Sequence, residues 1–196
     1  MLKQQHYVSE QDYLTGEMQS DIKHEYVNGE VYAMAGAHKN HVVLTGNFSR
    51  LLGNHLEGKT CQPYSSDMKV KVDSKYFYPD VVVDCSDFDG YFIEYPTIIV
   101  EVLSKSTRQH DKTFKRDLYF SISTLCEYVL VEQDFVEVEV WRRIKQDHWH
   151  QTVYYLGDEI YFESVDLSIN VEDLYQRVNN TDMQQWLQRK QFEQGQ

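Results

Sequence analysis

Two acidic residues interrupt apolar, strand-like stretches: Asp80 in Tyr78-Pro79-Asp80-Val81-Val82-Val83, and Glu101 in Ile99-Val100-Glu101-Val102-Leu103. Their neighbours are β-branched, so each carboxylate enters a setting that ordinarily holds an apolar side chain. An unpaired buried carboxylate is costly, and two of them close together repel. A divalent cation between them offsets both penalties, because hard cations such as Mg²⁺ favour carboxylate oxygen. Taken singly, Asp80 reads as a strand-start residue after Pro79, and Glu101 as a strand carboxylate salt-bridged to a lysine. Taken jointly, they read as a metal site.

Basic residues follow at once. The region 105–116 holds Lys105, Arg108, Lys112, Lys115 and Arg116, five of the 19 lysines and arginines. Charge alone makes this a solvated helix face. The net charge of −12 speaks against a non-specific polyanion binder, though not against an enzyme that meets nucleic acid locally. Gly-x-Ser-x-Gly elbows, phosphate-loop glycine-lysine motifs and dinucleotide glycine motifs are all missing from the sequence, which argues against those chemistries. The cysteines at 61, 85 and 126 are odd in number and far apart, so buried thiols in a reducing cytoplasm are expected. No apolar run is long enough to cross a membrane, and Met1-Leu2-Lys3-Gln4-Gln5-His6 lacks a signal-peptide core. A cytoplasmic location without a membrane partner is the expectation.

The elements that would hold these residues can be read in order. Ser9 followed by Asp12 caps a short helix through about residue 17. Residues 24–32 form a hairpin around Asn28-Gly29, a dipeptide that accepts positive φ at both central positions of a type I′ turn. Val42, Leu44, Phe48, Leu51, Leu52 and Leu56 mark the apolar face of a helix over 38–56, weakened by Gly53 and ended by Gly58. Strands are expected at 64–72, 78–85 and 97–103, with an acidic, aromatic loop at 86–95. A helix over 107–122 follows, then strands at 127–132, 135–142, 149–156 and 159–163, a helix over 171–178 and a polar, Gln-rich tail. This predicts a single domain over 1–178, of α/β or α+β class with a mixed sheet, and a tail over 179–196.

A helix, three strands, a helix and a strand, with Asp on the second strand and Glu on the third, resemble the PD-(D/E)xK nuclease superfamily. More closely, the chain resembles the Uma-type restriction endonucleases. The matching residues are His24-Glu25-Tyr26 with Asn28-Gly29-Glu30, His41, Tyr78 to Val83, and Ile99 to Ser104. Thr107, Asp111, Lys115, Tyr119 and Glu127 to Val131 match further on. The resemblance spans about residues 8–174 and implies a restriction-endonuclease-like core with an N-terminal hairpin and C-terminal antiparallel strands. It further implies that Asp80, Glu101 and the Val102 carbonyl bind Mg²⁺, or Mn²⁺ in its place, for hydrolysis of DNA, and that Glu25 adds a carboxylate. Such nucleases often pair two sites, so a homodimer is expected.

One position departs from the superfamily pattern. Leu103 stands where a lysine is usual, and an apolar side chain cannot orient water or offset phosphate charge. Lys115 is the first candidate for a migrated lysine, followed by Lys112, then by Lys69 and Lys71. Asp111 would orient Lys115 from four residues away. His41, Lys112 and Arg108 are candidates for nucleic-acid contact. A His38–His41 pair could bind metal, although a helix N-terminal face suffices to explain it. Tyr76, Phe77, Tyr78, Tyr91, Phe92 and Tyr95 could stack on bases, but core packing is the preferred reading. The competing functional reading is a catalytically inactive module that keeps the nuclease fold to bind DNA or protein, with Leu103 marking a degraded centre.

Overall fold

Ser9 caps the first helix, α1 (Glu10–Glu17), its Oγ accepting from the Asp12 N–H at 3.1 Å. In this computed structural model residues 7–194 are described; the N-terminal hexapeptide and the last two residues of the tail lie outside the described residues. The hairpin β1 (His24–Val27) and β2 (Glu30–Ala33) turns on Asn28 and Gly29, at φ 50° and 98°, both in the left-handed region that a type I′ turn needs. Helix α2 (Lys39–Leu56) buries Leu44, Phe48, Leu52 and Leu56. These recur every four residues, so they form one stripe. Val42, expected on that stripe, is instead 59 % exposed.

The expected strand over 64–72 is two strands in two sheets. β3 (Gln62–Ser65) and β4 (Lys69–Val72) part at Ser66, whose φ of 50° turns the chain. That turn is held by Lys23 Nζ donating to the Ser66 carbonyl at 2.9 Å and by the Ser66 N–H donating to the Asp80 carbonyl at 3.2 Å. Likewise the expected strand over 78–85 is only β6 (Val81–Asp84), preceded by β5 (Lys75–Phe77) in the other sheet. The loop over 86–95 contains a short strand, β7 (Phe92–Ile93). The third strand is β8 (Pro96–Leu103).

After β8 comes a helix of three parts: α3 (Arg108–His110), a π-helical turn (Asp111–Lys115) and α4 (Arg116–Tyr119). Then come β9 (Glu127–Glu132), β10 (Val138–Lys145), β11 (His148–Tyr154) and β12 (Glu159–Phe162). An unexpected strand, β13 (Leu167–Asn170), pairs with β12. The helix expected over 171–178 is shorter, α5 (Val171–Leu174), because Tyr175 leaves it to set its buried hydroxyl 2.7 Å from the Glu132 carbonyl. The last helix is α6 (Thr181–Gln194), which buries Met183 in the larger core.

A six-stranded sheet runs β11-β10-β9-β8-β6-β3, antiparallel throughout except for β8 beside β9. A five-stranded sheet runs β2-β1-β5-β4-β7, parallel only between β4 and β7. The period of two divides β6 and β8 between cores. Val81, Val83, Val100 and Val102 pack on the side of α2, whereas Val82, Ile99 and Leu103 meet Phe77 and Val70 of the other sheet and Tyr119 of α4. Glu101 shares the parity of Ile99 and Leu103, so it points between the two sheets.

The cysteines also depart from expectation. Cys61 and Cys85 are joined as a disulfide, and Cys126 is exposed. The cause is register: β3 pairs Gln62 with Asp84, so the residues one step outward face each other.

Candidate active site

The β6–β8 register pairs Val81 with Val100, and one step further it sets Asp80 against Glu101. Asp80 is fixed at both oxygens. Its Oδ2 accepts from the Val102 N–H at 2.7 Å, and its Oδ1 lies 2.6 Å from His41 Nε2. Only 15 % of the Asp80 side chain is exposed, and 5 % of Glu101.

Lys115 closes the site from the helix. Its Nζ lies 2.7 Å from Glu25 Oε1, 3.2 Å from Glu101 Oε1 and 3.5 Å from Asp111 Oδ1. It also sits 5.5 Å from the centre of the Phe77 ring, a cation–π contact. The Tyr119 hydroxyl donates to Glu101 Oε1 at 3.2 Å, the Tyr128 hydroxyl donates to the Asp111 carbonyl at 3.0 Å, and the Tyr78 N–H reaches Glu25 Oε1 at 3.4 Å. Glu25 from β1, Glu101 from β8 and Asp111 from the π turn thus share one ammonium.

Their protonation follows from that crowding. Burial holds Glu101 well above the usual carboxylate range; Lys115 opposes the shift, while Asp111, Asp80 and Glu25 reinforce it. Asp111 is raised by burial too, again against Lys115. Burial alone would lower Lys115, yet Glu101, Glu25 and Asp111 outweigh it and hold the amine well above its ordinary value. The lysine therefore stays charged, and the acids around it compete for what that single charge can offset.

The remaining candidates are distributed differently. Leu103 is fully buried and packs in the core between the sheets. Arg108 forks onto Glu132, its Nε and Nη2 donating at 2.7 Å and 2.6 Å, with Asp134 3.5 Å away. Lys112 lies 3.0 Å from Glu139 and 3.8 Å from Glu137. Lys69 is buried with its Nζ 3.2 Å from the Tyr78 hydroxyl, and Lys71 pairs with Glu94 at 3.4 Å. His38 turns its Nδ1 to the Asn40 N–H and acts as the N-cap of α2. Tyr76, Phe77 and Tyr78 are buried, as preferred above, whereas Tyr91 and Tyr95 are exposed. The acids at 132, 134, 137 and 139 that engage Arg108 and Lys112 were not foreseen. They sit at the end of β9, in the connection after it and on β10, and nothing local in the sequence signals the pairing.

The donor set can be tested against a divalent cation. Among the described residues, no three His, Cys, Asp or Glu side chains gather as a ready metal cage. Mg²⁺ does not require one, since it keeps several waters and is often held by one or two carboxylates. Asp80, Glu101 and the Val102 carbonyl are hard oxygen donors on adjoining strands, and the surrounding acids outnumber the one ammonium. Asp111 Oδ1 is buried without a hydrogen bond, its nearest compensation being the Lys115 ammonium at 3.5 Å. These residues fit a hard divalent ion.

The mixed sheets, with carboxylates facing across β6 and β8 and a helix over them, form a nuclease-like fold. A solved structure described as "a putative nuclease belonging to DUF820 from Anabaena variabilis ATCC 29413" matches with a TM-score of 0.70, covering 86 % of this chain and 97 % of that one at 15 % identity. The Uma2 family model, described as "Putative restriction endonuclease", matches residues 10–172, and the chain belongs to that family. Two uncharacterized proteins of Synechocystis sp. (strain ATCC 27184 / PCC 6803 / Kazusa) are similar in sequence. One is 36 % identical over 86 % of this chain and 91 % of its own length; the other is 35 % identical over 70 % and 82 %.

Proposed function

We propose that the chain is a metal-dependent endonuclease that hydrolyses DNA phosphodiester bonds. The observation that carries this reading is the position of Lys115, 3.2 Å from Glu101 and 2.7 Å from Glu25, although it lies far along the chain from the strand position now held by Leu103. A helix has supplied the cation that the strand lacks. Asp80, Glu101 and the Val102 carbonyl would hold Mg²⁺, with Mn²⁺ as a substitute. When bound, that ion supplies Lewis-acid activation of a water and of the scissile phosphate.

The chain's own groups do the rest. The His41 ring and the Val102 N–H orient Asp80, and each carboxylate oxygen keeps a further lone pair. Lys115 offers a fixed positive charge where negative charge develops on the phosphoryl oxygens. Glu25 and Asp111 hold that amine in place and keep it protonated. Leu103 and Phe77 keep the floor of the site dry, which strengthens each of these interactions.

The test is nicking of supercoiled plasmid with Mg²⁺ or Mn²⁺. Wild-type cleavage that stops on chelation and on Asp80→Ala, Glu101→Gln or Lys115→Met supports the assignment. Cleavage unchanged by Asp80→Ala overturns it. A well-folded protein that binds neither ion in calorimetry favours the inactive binding module instead.

A further inference from the structure

One row of side chains crosses the five-stranded sheet on the face of the acidic site. The hairpin sets Tyr32 of β2 opposite Glu25 of β1. The β1–β5 register, which pairs Tyr26 with Tyr76, carries one step further to set Glu25 against Phe77. Phe77 in turn supports Phe114 of the π turn edge-on, with ring centres 6.3 Å apart. Phe77 is buried, but Tyr32 is 50 % exposed and Phe114 is 38 % exposed. Tyr32 therefore lies across the hairpin from Glu25, with its hydroxyl bonded to Glu30, and Phe114, which directly precedes Lys115, has its ring centre 4.9 Å from that of His110. Neither is needed to fill a core.

The cations nearby tell the complementary story. Of the five basic residues in 105–116, Arg108, Lys112, Lys115 and Arg116 all face carboxylates: Glu132, Glu139, Glu101 and Asp117 respectively. Duplex binding draws its affinity chiefly from lysines and arginines that neutralise phosphates. Four of these five charges are thus held by the protein's own acids, which leaves Lys105. Stacking of a base on an aromatic ring needs no free cation, but it does need the base unpaired.

We infer that the site takes nucleic acid with unpaired bases beside the scissile phosphate, stacked on Tyr32 and on Phe114, in preference to an intact duplex. This rests on the nuclease reading and adds its substrate class. Fluorescence anisotropy would compare a labelled oligothymidylate with a blunt hairpin duplex of equal length, in Ca²⁺ so that the strands stay intact. The single strand should bind more tightly, and its affinity should fall less than about tenfold over a fourfold rise in salt, as expected for only one or two phosphate contacts. Tyr32→Ala and Phe114→Ala should each weaken single-strand binding by about tenfold or more, while Tyr32→Phe restores it. Circular dichroism of each variant separates lost stacking from lost folding. Equal or tighter binding of the duplex overturns the inference, as does single-strand affinity unmoved by both alanine variants. Asp80-dependent cleavage of duplex that ignores Tyr32→Ala overturns it while leaving the nuclease reading intact. Failure to bind or cleave either form overturns both.

Discussion

His41 Nε2 lies 2.6 Å from Asp80 Oδ1, and this contact ties the first turn of α2 to the start of β6. The carboxylate is thereby set by the helix on one side and by the Val102 N–H on the other. Partners that orient a metal-binding carboxylate are commonly worth 10–100-fold in metal affinity. His41→Ala should accordingly weaken Mn²⁺ binding by about that factor in calorimetry, with little change in the thermal midpoint. Unchanged affinity would reduce the contact to packing.

Among the described residues, Lys115 is the one ammonium shared by Glu25, Glu101 and Asp111. Removing one partner of a buried ion pair typically costs about 3–5 kcal/mol. Lys115→Met should destabilise by that order in urea titrations. Adding Glu101→Gln should recover part of the loss, since one orphaned buried acid disappears. A double-mutant cycle measures the coupling; strictly additive effects would contradict a shared network.

The raised Glu101 and Asp111 carboxyls make stability depend on pH in a defined direction. The folded state binds protons that the unfolded chain has already released, from the ordinary carboxylate range up to the raised values. Stability of the metal-free protein should therefore be fully present below that range and fall as pH rises through it. Glu101→Gln should flatten the fall. A divalent cation should reverse it, because binding favours the ionised acid. A pH-independent urea midpoint would count against this electrostatic picture.

The Cys61–Cys85 bond closes a loop across a sequence separation of 24. Loops of this size are worth about 3 kcal/mol in the chain-entropy model. Reductant, or Cys61→Ser, should lower stability by that order, and thiol titration should report one accessible cysteine before reduction. Three titratable thiols in the untreated protein would show the bond unformed.

The local signals in the sequence were dependable where local physics decides. Ser9 caps α1, and Asn28-Gly29 turns the hairpin, because a side-chain hydrogen bond and two positive φ angles are settled within a few residues. The opposition of Asp80 and Glu101 needed only their places on adjoining antiparallel strands. The break at Ser66 was hidden, since serine carries no turn signal comparable to Asn-Gly, and its left-handed backbone is held by Lys23 from another element. The same distance concealed the disulfide, a matter of strand register, and the acids that engage Arg108 and Lys112. Charge in a window of sequence says nothing about which opposite charge the fold will lay across it.

The π turn at Asp111–Lys115 has an evolutionary and engineering consequence. Such a turn is a helix with one residue more than its length requires. Upstream of it Arg108 grips Glu132, while Lys115 at its last position and Tyr119 beyond it meet Glu101. The turn absorbs its extra residue within itself, whereas adding or removing a residue in the regular helix on either side would rotate one set against the other by about 100°, so only one anchor could survive. The segment between the third core strand and Tyr119 is constrained in length as tightly as in chemistry. Alignments of related chains should tolerate substitution there far more readily than a gap.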